Sequence, residues 1–114
     1  MQLPNADQAL VPHAKVVDYL LSLSHPIGQS KAVFFRALGY DDSNADKLAD
    51  ALVKLAHTAS VSGTIETSFG TKYMVPGEIR TPSGRAVAIL TIWIIETGMV
   101  APRFVTAYPV AVED

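Results

Sequence analysis

The stretch His25-Pro26-Ile27-Gly28-Gln29-Ser30-Lys31 gathers an imidazole, a glycine turn, a hydroxyl and an ammonium at the start of a helical pattern. Unpaired N–H groups at a helix N-terminus, together with the helix dipole, favour an anion such as phosphate. Gly28, Gln29, Ser30 and Lys31 are therefore a candidate phosphate cradle. Lys31 opposes the dipole in a first turn, and its placement makes sense beside an anion. The spacing differs from the GxxxxGK[ST] loop of nucleotide hydrolases, so nucleotide hydrolysis is not implied. The plainer alternative gives each residue a local duty: His25 caps the loop, Gly28 turns the chain and Lys31 is solvated.

A second group lies in Arg103-Phe104-Val105-Thr106-Ala107-Tyr108-Pro109. Strand alternation puts Phe104, Thr106 and Tyr108 on one face and Arg103, Val105 and Ala107 on the other. Arg103 joins Thr106 and Tyr108 only at a bend, which Pro102 permits. Tyr19 to Tyr40 and Thr97 to Val112 contain basic residues but no acid. If the fold joins these two islands, a cleft of positive potential results; chance clustering is the competing reading. Trp93 and Tyr73 read as core or interface anchors, and His57 suits the negative end of a helix. There is no HExxH, EF-hand loop or clustered His with carboxylates, so no metal or other cofactor is expected. No GxSxG elbow exists either.

These residues must be positioned by a fold, and the pattern predicts one. Val16, Val17, Leu20 and Leu21 follow helical spacing over about 12–23, with Pro12 tolerated in the first turn. Pro26 and Gly28 break that pattern. A second helix covers Ser30 to Leu38, with Gly39 as a left-handed cap. A third runs from about Asn44 to Thr58, with Ser43 and Asp46 as its capping pair. From Val61 the chain turns to Thr, Val, Ile, Tyr and Phe, giving strands at about 61–69, 71–79, 85–96 and 103–110. Short connections force antiparallel neighbours. The expected class is α+β: about three N-terminal helices packed on one face of a four-stranded antiparallel meander. One domain over 1–114 is expected, with an extended lead (1–11), a helical part (12–58) and a sheet (61–110). The third strand, AVAILTIWII, is apolar at both alternating sets of positions and so should be covered on two sides.

Composition narrows the function classes. The absence of Cys removes disulfides and thiol chemistry and fits a cytoplasmic setting. The N-terminus lacks a secretory pattern, and the run from Ala86 to Ile95 is far short of the roughly 20 residues a membrane helix needs. A net charge of -2 excludes nucleic-acid binding by bulk electrostatics, so any such role must be local. The 49% hydrophobic content points to a homo-oligomer or a partner protein on the apolar sheet face.

LPNADQALV at the start, DYLLSLSHPIGQSKAVFFRALGY, and the closing WIIETGMVAPRFVTAYPV resemble an uncharacterised bacterial domain family sharing LPNA, HPxGxxKAxFFxxLG and RxVTxY. Its layout in turn resembles the barnase-like, colicin-like and RelE-like endoribonucleases of toxin–antitoxin and polymorphic toxin systems. What this second resemblance implies is metal-independent RNA cleavage, with the 2′-hydroxyl attacking the adjacent phosphate. His25 would be the general base or acid. Lys31 and Arg103 would stabilise the phosphorane, Thr106 and Tyr108 would hydrogen-bond its oxygens, and RNA and a cognate inhibitor protein would be the partners. The acidic balance departs from the basic character common in such toxins. It keeps a second class standing, a non-catalytic protein-binding or homodimerisation module whose contact face is strand three near Thr91 and Trp93.

Overall fold

The computed structural model describes residues 1–27 and 29–110. Helix α1 is a single turn, His13–Lys15, that continues as a π-helical turn, Val16–Leu20. The widened turn is closed by the Leu21 N–H donating to the Val16 carbonyl at 2.8 Å, five residues back. The helix predicted over 12–23 is therefore shorter and partly π-helical, a local geometry that is frequent at functional sites. Helix α2 is Gln29–Ala37, and Gly39 follows at φ +102°, the left-handed stop anticipated for it.

Helix α3, Ala45–Thr58, begins where expected but is capped differently. Asp42–Asn44 forms a 3-10 turn, and the capping pair is Asp41 with Asn44. The Asp41 carboxylate accepts from the Ser43 N–H at 2.8 Å, while the Asn44 side chain accepts from the Asp41 N–H at 2.7 Å. The extra 3-10 turn moves the exposed N–H groups one step earlier than the Ser43–Asp46 pair could reach.

The strands are β1 Gly63–Thr67, β2 Gly70–Arg80, β3 Ala86–Glu96 and β4 Arg103–Pro109. They form one antiparallel meander in the order β1-β2-β3-β4. Gly70 closes the first hairpin opposite Thr67 at φ +150°, with its Cα so near Glu96 that an added Cβ would lie 2.3 Å from the Ile95 carbonyl oxygen. No side chain fits there.

One sheet face carries Val75, Ile79, Ile89, Thr91, Trp93 and Phe104 against the helices, which contribute Val16, Leu20, Phe35, Leu48 and Leu52. Thr91 and Trp93 are fully buried here, so they belong to the core and not to a contact face for another chain. The outward face of β3 is instead Leu90, Ile92 and Ile94, of which Leu90 and Ile92 are half-exposed. Among the described residues no helix is long and apolar enough to cross a membrane.

The Thr91 hydroxyl donates to the Val75 carbonyl at 2.7 Å and accepts from the Trp93 indole N–H at 2.8 Å. It satisfies two polar groups in the driest part of the core. Thr91→Val keeps the shape, removes both contacts and leaves the buried indole N–H without its acceptor, so we expect a loss of roughly 1–3 kcal/mol in unfolding free energy, read as a lower denaturant midpoint with unchanged slope. Wild-type stability in that variant would show that the indole finds another acceptor.

Candidate active site

The last strand departs from simple alternation. Trp93 pairs with Phe104 and Ile92 with Thr106, which leaves Val105 as an unpaired extra residue, a β-bulge. Phe104 and Ala107, three apart, therefore both face the core, while Arg103, Thr106 and Tyr108 lie on the outward face in register with Ile94, Ile92 and Leu90. The expected split is corrected on two points: Phe104 does not share a face with Thr106 and Tyr108, and Arg103 does. Ladder pairing on either side of an inserted residue has opposite phase, and no bend at Pro102 is needed.

Helix α2 packs along β4, the outer strand of the meander. This brings the His25–Lys31 stretch beside the final strand, with Tyr19 between them. The Tyr19 hydroxyl is 3.0 Å from Thr106 Oγ1. The Lys31 ammonium stands 5.4 Å from the Tyr19 ring centroid and 4.8 Å from that of Tyr108. Lys15, one helical turn before Tyr19, holds its ammonium 5.0 Å from the same ring. His25 meets Tyr19 edge-on at 5.1 Å between centroids. Four of the anticipated residues, His25, Lys31, Thr106 and Tyr108, thus gather around a fifth that sequence reasoning did not single out.

The missed residues are Tyr19 and Lys15. Their four-residue spacing places them on one side of a helix, beside the apolar positions Val16 and Leu20. That spacing was a readable signal, but nothing in it distinguishes a site from a solvated helix flank.

Electrostatics follow from this geometry. Partial burial opposes ionisation of the Tyr19 phenol, but the hydrogen bonds from Thr106 and Lys31 and the positive charges of Lys31 and Lys15 together hold its pKa below the ordinary phenol range. Tyr40 moves the other way, because burial raises it. His25 Nδ1 accepts from the Ile27 N–H at 3.1 Å, so the neutral ring carries its proton on Nε2.

Other anticipated residues lie apart from the cluster. Arg103 is paired with Glu96 at 2.7 Å and lines an adjacent cavity of about 260 Å³ with Lys15 and Lys72. In the expected phosphate cradle, the Gln29 N–H donates to the His25 carbonyl at 3.0 Å, Ser30 is exposed, and Gly28 lies outside the described residues. Lys31 is the part of that cradle that reaches the cluster. The two basic islands do meet, at Lys31 and Tyr108, although Arg36 is turned to Asp42 at 3.2 Å and to the Leu21 carbonyl at 2.8 Å.

Residues 2–111 match a family model described as a domain of unknown function, DUF6883. The chain belongs to this family. The match spans the helices, the meander and every residue of the cluster, so the DUF6883 domain contains the whole site. No curated protein sequence matches the chain. Among solved structures, a chain of the contact-dependent growth inhibition toxin–immunity protein complex from Klebsiella pneumoniae 342 is similar, with a TM-score of 0.72. The alignment covers 94% of this chain and 97% of that one at 22% identity, and what it shows in common is the fold. The DUF6883 chain is thus an α+β domain with the layout of a protein from a toxin–immunity complex.

The Tyr19 environment is open to direct measurement. In a spectrophotometric titration of the tyrosines, the first phenol to ionise should disappear in Tyr19→Phe. Lys31→Met removes a cation that favours phenolate, so the same transition should move to higher pH. An unchanged first transition in both variants would show that Tyr19 is not the lowered group.

Proposed function

We propose that the chain is a metal-independent endoribonuclease of toxin type, working at the Tyr19 cluster. The observation that carries the reading is the meeting of Lys15, Lys31, Tyr19, Thr106, Tyr108 and His25 beside β4, where one phosphodiester would touch two ammonium groups and several hydroxyls. The fold likeness to a chain of a toxin–immunity complex supports it at the level of architecture. Among the described residues no three His, Asp or Glu side chains are grouped to hold a metal ion, so the proposed steps use side chains alone.

In this reading the ribose 2′-hydroxyl attacks the adjacent phosphorus, the bond from phosphorus to the 5′-oxygen breaks, and the products are a 2′,3′-cyclic phosphate and a 5′-hydroxyl. Tyr19 takes the 2′-hydroxyl proton as phenolate, the form its cationic neighbours favour. The resemblance assigned proton transfer to His25. With Nδ1 engaged by Ile27, His25 is assigned no proton transfer and instead positions the Tyr19 ring, which it meets edge-on. Lys31 stabilises the phosphorane charge and gives a proton to the departing 5′-oxygen, while Thr106 and Tyr108 hold the oxygens. Arg103, paired with Glu96 at the end of β3, has no part in the chemical step.

A second reading has its own support. Ile65, Met74, Leu90 and Ile92 make a partly exposed apolar band on the outward sheet face, suited to a cognate inhibitor or a second copy of the chain. The two readings are compatible, since an inhibitor seated there would cover the cluster.

Expression in bacteria should arrest growth, and purified protein should cleave RNA in the presence of EDTA. Tyr19→Phe should lower the cleavage rate by about 10²–10⁴ and flatten a profile that otherwise rises with pH, because the active base is the deprotonated phenol. Lys31→Ala should cost about 10²–10³, with circular dichroism unchanged in each. Harmless expression and intact RNA with the wild type would end the nuclease reading and leave the binding module.

A further inference from the structure

We infer that the cavity beside the cluster is a second subsite, which binds the nucleotide flanking the scissile phosphate in single-stranded RNA by stacking its base on Phe69 and holding its phosphate with Lys72 and Arg103. The inference rests on the nuclease reading for its orientation, and on separate residues for its substance.

The cavity, about 260 Å³, gathers Lys15, Lys72 and Arg103 against one carboxylate, Glu96. A local excess of cations on a chain of net charge -2 marks a place for an anion that the rest of the surface repels. Glu96 engages Arg103 at 2.7 Å, which orients the guanidinium but leaves both lysines without a carboxylate partner among the described residues. The floor is apolar, from Ile94, Phe104 and Val105, as the face of a base or ribose requires.

Phe69 is the second, independent observation. It sits in the two-residue turn between β1 and β2 with 77% of its surface exposed, and it lines the same cavity. The turn does not need its ring: the Phe69 N–H and the Gly70 N–H both donate to Thr67 Oγ1, a contact that uses only the backbone of Phe69. A solvent-exposed ring beside three cations is the pairing that sequence-tolerant single-strand sites use, stacking for the base and positive charge for the backbone. An acidic protein surface would use the cations and leave the ring idle.

The cavity is continuous with the cluster. Lys15 belongs to both, lining the cavity and standing 5.0 Å from the Tyr19 ring centroid. Arg103 and Thr106 lie on the same sheet face opposite Ile94 and Ile92, which are two residues apart and so roughly 7 Å along the strand. A strand cleaved beside Thr106 would carry its neighbouring nucleotide toward Phe69.

The test uses the full chain and a single-stranded oligoribonucleotide made uncleavable by 2′-O-methylation, followed by fluorescence anisotropy. Phe69→Ala and Lys72→Ala should each weaken binding on the order of tenfold, and Lys72→Ala should also lower the salt slope by a little under one. In cleavage assays both should raise KM for a long substrate, the Phe69→Ala effect persisting in a dinucleotide and the Lys72→Ala effect shrinking there because the flanking phosphate is missing. Binding that ignores both substitutions would overturn the subsite, whether or not the protein cleaves RNA. Equal, Phe69-independent affinity for polyglutamate would also overturn it, in favour of an acidic protein partner. Phe69- and Lys72-dependent binding without cleavage would keep the subsite and remove the nuclease reading alone.

Discussion

The arrangement of the site depends on one extra residue in the last strand. Hydrogen-bonded ladders fix which side chains share a face, and Trp93 claims Phe104 as its core partner at 5.4 Å between ring centroids. Without the bulge at Val105, that pairing would turn Thr106 into the core and Ala107 outward. Both requirements are met because the register slips by one between Ile92 and Trp93. The core keeps its aromatic pair and the outward face receives Arg103, Thr106 and Tyr108. A packing constraint in the interior thereby determines what chemistry the exterior can present.

Tyr19 is where the consequences of this meet. Its phenol is subject to opposing influences, burial against ionisation and hydrogen bonds with cationic charge in favour, and the second set prevails. Tyr40 supplies the internal comparison. It is buried against the core and donates to the Arg80 carbonyl at 3.4 Å, and burial decides its direction. Two tyrosines in one small chain are driven apart by their surroundings, and groups driven apart in this way are the usual material of acid–base chemistry.

Much of the architecture was legible because its signals are local. The 14 residues of α3 carry Leu48, Leu52 and Leu55 at helical spacing, Gly39 stands where a left-handed stop is needed, and the strands follow a composition shift near Val61. The cap of α3 was misassigned because Asp41 and Ser43 both satisfy the pattern, and only the 3-10 turn selects Asp41. The burial of Thr91 was obscured because AVAILTIWII is apolar on both faces, and alternation alone cannot say which set faces the helices. The contacts of Lys31 with Tyr108 and of Tyr19 with Thr106 are long-range, and no local pattern encodes them. The bulge that brings Arg103 to the face of Thr106 and Tyr108, and the part played by Tyr19 and Lys15, arise from tertiary register that no short-range pattern encodes.

Under the proposed reading, the charge distribution is what would let an acidic chain receive an anion. Among the described residues the two ion pairs both use arginine, Arg36 with Asp42 and Arg103 with Glu96, whereas Lys15 and Lys31 face an aromatic ring. Two ammonium groups over one phenol repel each other, and that repulsion is relieved by negative charge placed between them. The phenolate of Tyr19 and a phosphodiester are the two candidates, and they share the same donors. Under the proposed reading, a phosphate drawing on Lys31 would leave less of that cation's stabilisation for the phenolate, which would be a stronger but less populated base while the phosphate is seated. That trade-off would arise from two separate helices, α1 with its π-helical turn carrying Lys15 and Tyr19 and α2 carrying Lys31, brought together at the edge strand β4.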